Sequence, residues 1–285
     1  MRIFCRCGHE NFNTPLRRPW QSWFALTGPY VKSAIKLIQR GTHLSKPKAR
    51  LYIDFALSLD GVAPLSQGQA HYLRNVMRMS PGDSVTLFNG HDGEWRGEIG
   101  DLGKRAGTVI ARRQNRPQQH EPDLWLLFAL IKKDRMSFVI EKATELGVSS
   151  LRPVITQHTV VHRLKDERLR FAAIEAAEQC ERLSIPETCE AISLDQALEN
   201  WPEERQLFVL DETGGGEAIA SVMENAPGPA AILVGPEGGF HKSELEALRQ
   251  RPYATFLSLG PRILRADTAA LAALTCWQAL AGDWK

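Results

Sequence analysis

The apolar positions of this chain change period part-way along it. From Arg50 to about Gly103, short apolar or alternating runs are cut at close intervals by turn residues. Leu51-Tyr52-Ile53, Ser84-Val85-Thr86-Leu87-Phe88 and Glu94-Trp95-Arg96-Gly97-Glu98-Ile99 are such runs. Asp60-Gly61, Pro81-Gly82-Asp83, Asn89-Gly90, Asp92-Gly93 and Gly103 interrupt them. Alternation between frequent turn signals predicts a small antiparallel barrel. One helix is expected within it, about Ser66 to Met77, with Ser66 as N-cap and Ala70, Leu73, Val76 and Met77 on its buried side. The polar stretch Arg113–Pro122, with Pro117 and Pro122, reads as a linker.

From Leu124 onward, continuous apolar runs alternate with helix-length amphipathic segments. Leu124–Ile131, Leu151–Ile155, Gln206–Leu210, Ala230–Val234 and Thr255–Leu259 are the expected strands. Runs without alternation suit strands covered on both faces. Helices are expected at about Arg135–Leu146, with Gly147 as C′ glycine, then Lys165–Leu183, Gly216–Asn225, Ser243–Arg251 and Thr268–Ala281. This alternation predicts an α/β domain with a mostly parallel sheet.

The composition of the 285 residues, 43% hydrophobic and 24% charged, is that of a globular protein. The net charge of +2 conceals an asymmetry. Residues 1–46 carry eight basic residues against Glu10 alone, +7, which leaves −5 for the rest. Phosphate affinity comes from local clusters of Lys and Arg, so total charge argues neither for nor against a nucleic-acid partner. The basic segment itself is read as an extension. Its alternatives are a start placed too far upstream, with Val31 or Leu44 as the true start, and a transit-like or nucleic-acid-binding arm. Five cysteines without framework spacing indicate a reducing compartment, and no apolar run nears the roughly 20 residues that span a bilayer. The chain is expected to be cytoplasmic with no membrane partner. Cys5-x-Cys7-x-His9 and His158-x3-His162 both lack a completing ligand pair, so no metal is expected. His158 and His162 read as surface or RNA-facing side chains.

The nucleotide-binding motifs common in α/β domains are missing. No G-x-G-x-x-G opens a helix after the first strand, Gly214-Gly215-Gly216 comes late, and there is no G-x-x-x-x-G-K-[ST]. Two other glycine loops stand out. Strand residues Ile232-Leu233-Val234 run into Gly235-Pro236-Glu237-Gly238-Gly239-Phe240, after which Ser243 is the expected cap of a helix with Glu244 in its first turn. Leu257-Ser258-Leu259 run into Gly260-Pro261-Arg262-Ile263-Leu264-Arg265-Ala266-Asp267-Thr268-Ala269. Glycine lets backbone approach a ligand, and open α/β sheets bind ligands at the carboxyl ends of their strands. Each loop alone is equally compatible with a tight strand-to-helix turn. Two of them within about thirty residues favour a paired site.

These two motifs together resemble the SPOUT class of methyltransferases, and within it the bacterial 16S rRNA uridine N3 methyltransferase (RsmE) family. Lys132-x-Asp134-Arg135, Glu141-Lys142-Ala143-Thr144-Glu145-Leu146-Gly147 and Glu175-Ala176-Ala177-Glu178-Gln179-x-x-Arg182 add to the likeness, which spans about residues 48–282. Asp267 departs from it, standing where the family usually shows Glu. The resemblance implies residues 1–47 as an unassigned extension, 48–118 as a PUA-like RNA-binding barrel and 119–285 as a SPOUT domain with a deep trefoil knot. It implies S-adenosylmethionine as cofactor, a homodimer, and 16S rRNA in the 30S subunit as partner. Cofactor contacts fall on Leu210, Val234, Gly235, Glu237, Gly238, Leu259, Ile263, Leu264 and Ala269. Arg265 is the expected polar catalytic centre, with Glu237 and Asp267 as candidate proton acceptors. Lys132, Lys133, Arg135, Arg163, Arg182 and Arg262 are the expected RNA rim. The rival readings are a non-catalytic assembly factor of the same fold and an enzyme of this class acting on another RNA.

Overall fold

A computed structural model describes residues 47–160, 166–226 and 228–284. The first sheet contains β1 (Arg50–Tyr52), β2 (Val62–Leu65), β3 (Ser84–Phe88), β4 (Glu94–Leu102) and β5 (Gly107–Arg116), in the order β1-β3-β4-β5-β2. Alternate residues of β5 point inward, with Gly107, Val109 and Ala111 buried. They join Leu51, Ile53, Leu65, Val85, Leu87 and Ile99 in one apolar core. The pairing of β1 with β3 is parallel, where an all-antiparallel barrel was expected. Parallel neighbours need a long crossover, and residues 53–83 supply it. Strand β5 also runs into the stretch expected as linker. Arg113, Gln114 and Arg116 pair with Arg96, Trp95 and Glu94, so this polar segment is ladder rather than loop.

The crossover carries α1 (Gln67–His71), opened by a capping box. The Ser66 hydroxyl accepts from Gln69 N at 3.2 Å, and the Gln69 side chain accepts from Ser66 N at 2.9 Å. The helix continues as a π turn, Tyr72–Val76, closed by Met77 N donating to Tyr72 O at 3.0 Å. The wider turn shifts the helical phase. Ala70 and Leu73 stay buried, while Val76, expected inside, is 61% exposed.

The second sheet is parallel throughout its described strands. It comprises β6 (Leu124–Ala129), β7 (Ser150–Ile155), β8 (Glu187–Thr188), β9 (Ile192–Ser193), β10 (Gln206–Leu210), β11 (Glu217–Ala218), β12 (Ala230–Val234) and β13 (Ala254–Ser258). Their order is β11-β13-β10-β12-β6-β7-β8, with β9 beside β7. The helices are α2 (Lys133–Glu145), α3 (Asp166–Cys180), α4 (Leu194–Leu198), α5 (Ile219–Met223), α6 (Lys242–Arg249) and α7 (Ala266–Leu280). The expected helix over Gly216–Asn225 is thus an edge strand followed by a short helix.

The two sides of β6 and β12 feed two cores. Leu124, Leu126, Phe128, Ala230, Ile232 and Val234 face α2, α3, α5 and α7, whose Trp277 is fully covered. Leu127, Ala231 and Leu233 face Leu194, Leu198, Leu245 and Leu248 of α4 and α6. Truncating any of these leucines to Ala would cost about 2–5 kcal/mol.

A polar seam joins the barrel to α3. Arg50 Nη1 donates to Ala177 O at 3.0 Å, Arg50 Nη2 to Arg182 O at 2.6 Å, and Tyr52 N to Glu178 Oε1 at 3.0 Å. Burial pushes the Glu178 carboxyl up to about 7, against the opposing pull of the Tyr52 amide and Arg50.

Candidate functional site

Register brings the carboxyl ends of four strands level with one another. Leu210 of β10 pairs with Leu257 of β13, Val209 with Leu233 of β12, and Val234 with Phe128 of β6. The loops leaving β10, β12 and β13 therefore emerge side by side, the arrangement in which open parallel sheets bind ligands.

The first loop, residues 235–240, is a tight turn closed by Gly239 N donating to Pro236 O at 3.0 Å. Gly239 has φ +69°, a conformation that favours glycine. Phe240 folds back beneath the loop, and a Cβ on Gly235 would lie 3.0 Å from its ring. The helix that follows is capped by His241 rather than Ser243. His241 Nδ1 accepts from Ser243 N at 3.2 Å, while Glu244 Oε2 accepts from His241 N at 2.8 Å. The sequence pattern missed this because histidine is an uncommon cap.

The second loop follows β13. Gly260 has φ +97° and open space where a Cβ would stand. Arg262 and Arg265 are exposed, and Ile263 is 86% exposed. Leu259 and Leu264 pack against the core. Arg265 holds the N-cap position of α7, where its carbonyl accepts from Ala269 N at 2.8 Å. Ala269 is buried in the first turn.

A crevice lined by Phe128, Ala129, Ile131, Val139, Val234, Gly235 and Ala266 joins the first loop to the start of α7. Of the expected cofactor contacts, Val234 and Gly235 line it directly. Leu210 closes the adjacent strand end, and Glu237 and Gly238 are exposed on the loop above. The crevice walls are apolar, Phe128 beside aliphatic side chains, and the glycine turns next to it offer bare backbone.

Asp267 is already engaged. Its Oδ2 lies 3.3 Å from Arg135 Nη1, tying the start of α7 to α2, and its Oδ1 accepts from Thr268 N at 2.8 Å. Arg135 is accordingly only partly available to phosphate. Lys132 is exposed at the start of α2. Arg163, the side chain of Lys133 and His162 lie outside the described residues. Arg182 is a correction. It is buried, ion-paired with Glu121, and donates to Thr144 O at 2.7 Å and Val148 O at 3.1 Å. A guanidinium satisfied in this way inside the protein does not reach RNA.

Two contributors were not singled out as site residues from the sequence. The loop after β10 holds Asp211, which pairs with Arg249 at 3.3 Å, and Gly216, where a Cβ would meet the Leu257 backbone at 2.5 Å. The late glycine run thus serves close approach to β13. The second is His158, whose Nδ1 lies 3.1 Å from Gly238 O and 3.2 Å from Gly239 O. Among the described residues, no cluster of three His, Cys, Asp or Glu side chains could hold a metal, and no helix is long and apolar enough to cross a membrane.

Comparison with known proteins agrees with this architecture. Residues 65–111 match the RNA methyltransferase PUA domain model, and residues 118–278 the RNA methyltransferase domain model. The ribosomal RNA small subunit methyltransferase E of Rickettsia conorii is 35% identical over 235 residues, covering 79% of this chain and 93% of that protein. Its Bacillus subtilis counterpart is 30% identical over 73% of this chain and 86% of its own length. The crystal structure of a ribosomal RNA small subunit methyltransferase E from Neisseria gonorrhoeae, bound to S-adenosyl methionine, superposes with TM-score 0.76 at 28% identity. That match covers 83% of this chain and 99% of the other. With both domain models matching in order and the Rickettsia protein 35% identical over 93% of its length, the chain belongs to the ribosomal RNA small subunit methyltransferase E family.

Proposed function

We propose that this protein transfers a methyl group from S-adenosylmethionine to N3 of a uridine in the 16S rRNA of the small ribosomal subunit. The observation that carries this reading is the convergence of the first glycine loop and the start of α7 on one crevice at the ends of β6 and β12. The gonococcal relative, solved with the same cofactor, supports it. When bound, S-adenosylmethionine supplies an electrophilic sulfonium methyl. On this reading Leu210, Val234, Gly235, Glu237, Gly238, Leu259, Ile263, Leu264 and Ala269 hold it.

Uridine N3 carries a proton at neutral pH and is occupied in a base pair, so the enzyme needs an unpaired or flipped base. Arg265 has no side-chain partner among the described residues, so its guanidinium is free to stabilise charge developing on O2 or O4 as the proton leaves. A guanidinium is no proton acceptor. Asp267 is engaged by Arg135 and Thr268 N, which leaves Glu237, exposed on the first loop, as the carboxylate to receive the proton. Lys132, Lys133, Arg135, Arg163 and Arg262 form the RNA rim. A knotted cofactor segment and a second copy of the chain over it belong to the same reading, and the exposure of Ile263 supports such a cover. A cytoplasmic location belongs to the same reading.

The test is transfer from labelled S-adenosylmethionine to 30S subunits lacking the modification, to naked 16S rRNA and to tRNA, followed by nucleoside analysis. Label in 3-methyluridine from the small subunit is the expected result. Label only in tRNA would move the substrate elsewhere, and neither transfer nor binding would favour the assembly-factor reading. Arg265→Ala should fold normally and lose about 10²–10³ in kcat.

A further inference from the structure

We propose that His158 is a positioning residue that clamps the first glycine loop from outside into its cofactor-binding shape. This rests on the reading of that loop as part of the cofactor site. The clamp begins with a turn after β7. Thr156 N donates to Thr159 Oγ1 at 2.9 Å, Thr159 N donates to Thr156 O at 3.1 Å, and both threonines are buried. The turn presents Gln157 and His158 to residues 238–244. Gln157 N donates to Glu244 Oε1 at 2.9 Å, and Gln157 Nε2 donates to Ser243 Oγ at 3.0 Å. Glu244 is itself buried and also accepts from His241 N, so the β7 turn and the start of α6 share one carboxylate.

On this base stands His158. Its Nδ1 faces two carbonyl oxygens, those of Gly238 and Gly239. Carbonyls only accept, so Nδ1 bears the proton and the tautomer follows from the geometry. The ring is steadied edge-on by His241, with centroids 5.6 Å apart. Its Cβ lies 3.4 Å from the place a Gly238 Cβ would take, so the imidazole packs in van der Waals contact with the loop. In a trans peptide the carbonyl and the following N–H point in opposite directions. Holding Gly238 O and Gly239 O therefore also aims Gly239 N, which closes the turn on Pro236 O, and Phe240 N. The loop is held between His158 outside and the Phe240 ring beneath Gly235.

The test compares wild type with His158→Ala, His158→Asn and His158→Gln in the full chain. Two readouts are taken: calorimetric binding of S-adenosylmethionine, and hydrogen exchange of the Gly239 amide without ligand. Asn places an N–H where Nδ1 stands, while Gln reaches the position of Nε2. Ala and Gln should weaken binding about 5–10-fold and quicken Gly239 exchange by a similar factor, with Asn within about threefold of wild type. Gly239 exchange unchanged in His158→Ala would overturn the clamp, as would Asn behaving no better than Gln. A wild-type protein that binds no S-adenosylmethionine, while exchange still quickens in His158→Ala, would overturn the cofactor reading and uphold the clamp.

Discussion

Replacing Glu178 with Gln should stabilise the protein in alkaline but not in acid solution. Glu178 lies where α3 meets β1 and accepts from Tyr52 N at 3.0 Å. Burial raises its carboxyl from 4.5 to about 7, the Glu175 charge adding to the rise while the Tyr52 amide and Arg50 oppose it. The unfolded chain releases this proton near pH 4.5, whereas the folded protein keeps it until about pH 7. The stability contributed by the protonated group is therefore complete below pH 4.5 and is lost as pH rises through 7. At about 1.4 kcal/mol per pH unit, the full loss is roughly 3.5 kcal/mol. The side chain is only half-buried, and solvent screening lowers the expectation to about 1–2 kcal/mol. Gln keeps the Oε1 acceptor and carries no charge. Urea unfolding followed by tryptophan fluorescence should show Glu178→Gln about 1–2 kcal/mol more stable than wild type at pH 8. At pH 4.5 the two should agree within about 0.5 kcal/mol. A gap of the same size at both pH values, or no gap at pH 8, would refute the reasoning.

Arg182→Ala should cost about 3 kcal/mol in the same assay, because it strands Glu121 and two carbonyls. A variant of normal stability with weakened RNA affinity would return Arg182 to the RNA rim. Gly239→Ala must hold an L-residue at φ +69° with its Cβ 1.8 Å from the present position of Glu212 Oε1. The expected cost is about 1–2 kcal/mol of stability, seen as a lower Tm, together with weaker S-adenosylmethionine binding. Arg135→Ala removes a partly exposed pair worth about 0.2–1 kcal/mol, so Tm should barely move. Methyl transfer should nevertheless fall several-fold as the start of α7 loosens, and an unchanged rate would show that the Asp267 tie is not used.

The longer strands of the parallel sheet were legible because they are mostly apolar runs, and burial on both faces leaves little other use for such a run. Gln206–Leu210 and Ala230–Val234 have the ends the sequence indicates. Short elements were not legible. Strands β8 and β9 and helix α4 are two to five residues long, too brief to show a period, and the two strands exist because β7 offers an edge. Val76 was misassigned because a π turn breaks the helical phase without leaving any compositional mark.

For the candidate site, the sequence determined the reaction class and where to look for it. Glycine-containing loops after apolar strands mark bare backbone at strand ends, and a family pattern spread over most of the chain names the reaction class. Tertiary structure decided which charges are spent and which are free. Arg182, Arg135 and Arg265 are alike in sequence, yet one is buried against Glu121, one is tied to Asp267, and one has no side-chain partner among the described residues. His158 likewise meets the first glycine loop only because β7 and β12, which flank β6 in parallel, both end at the same edge of the sheet. Partnership depends on contacts across 34 to 132 residues, and no local pattern encodes the position of so distant a neighbour.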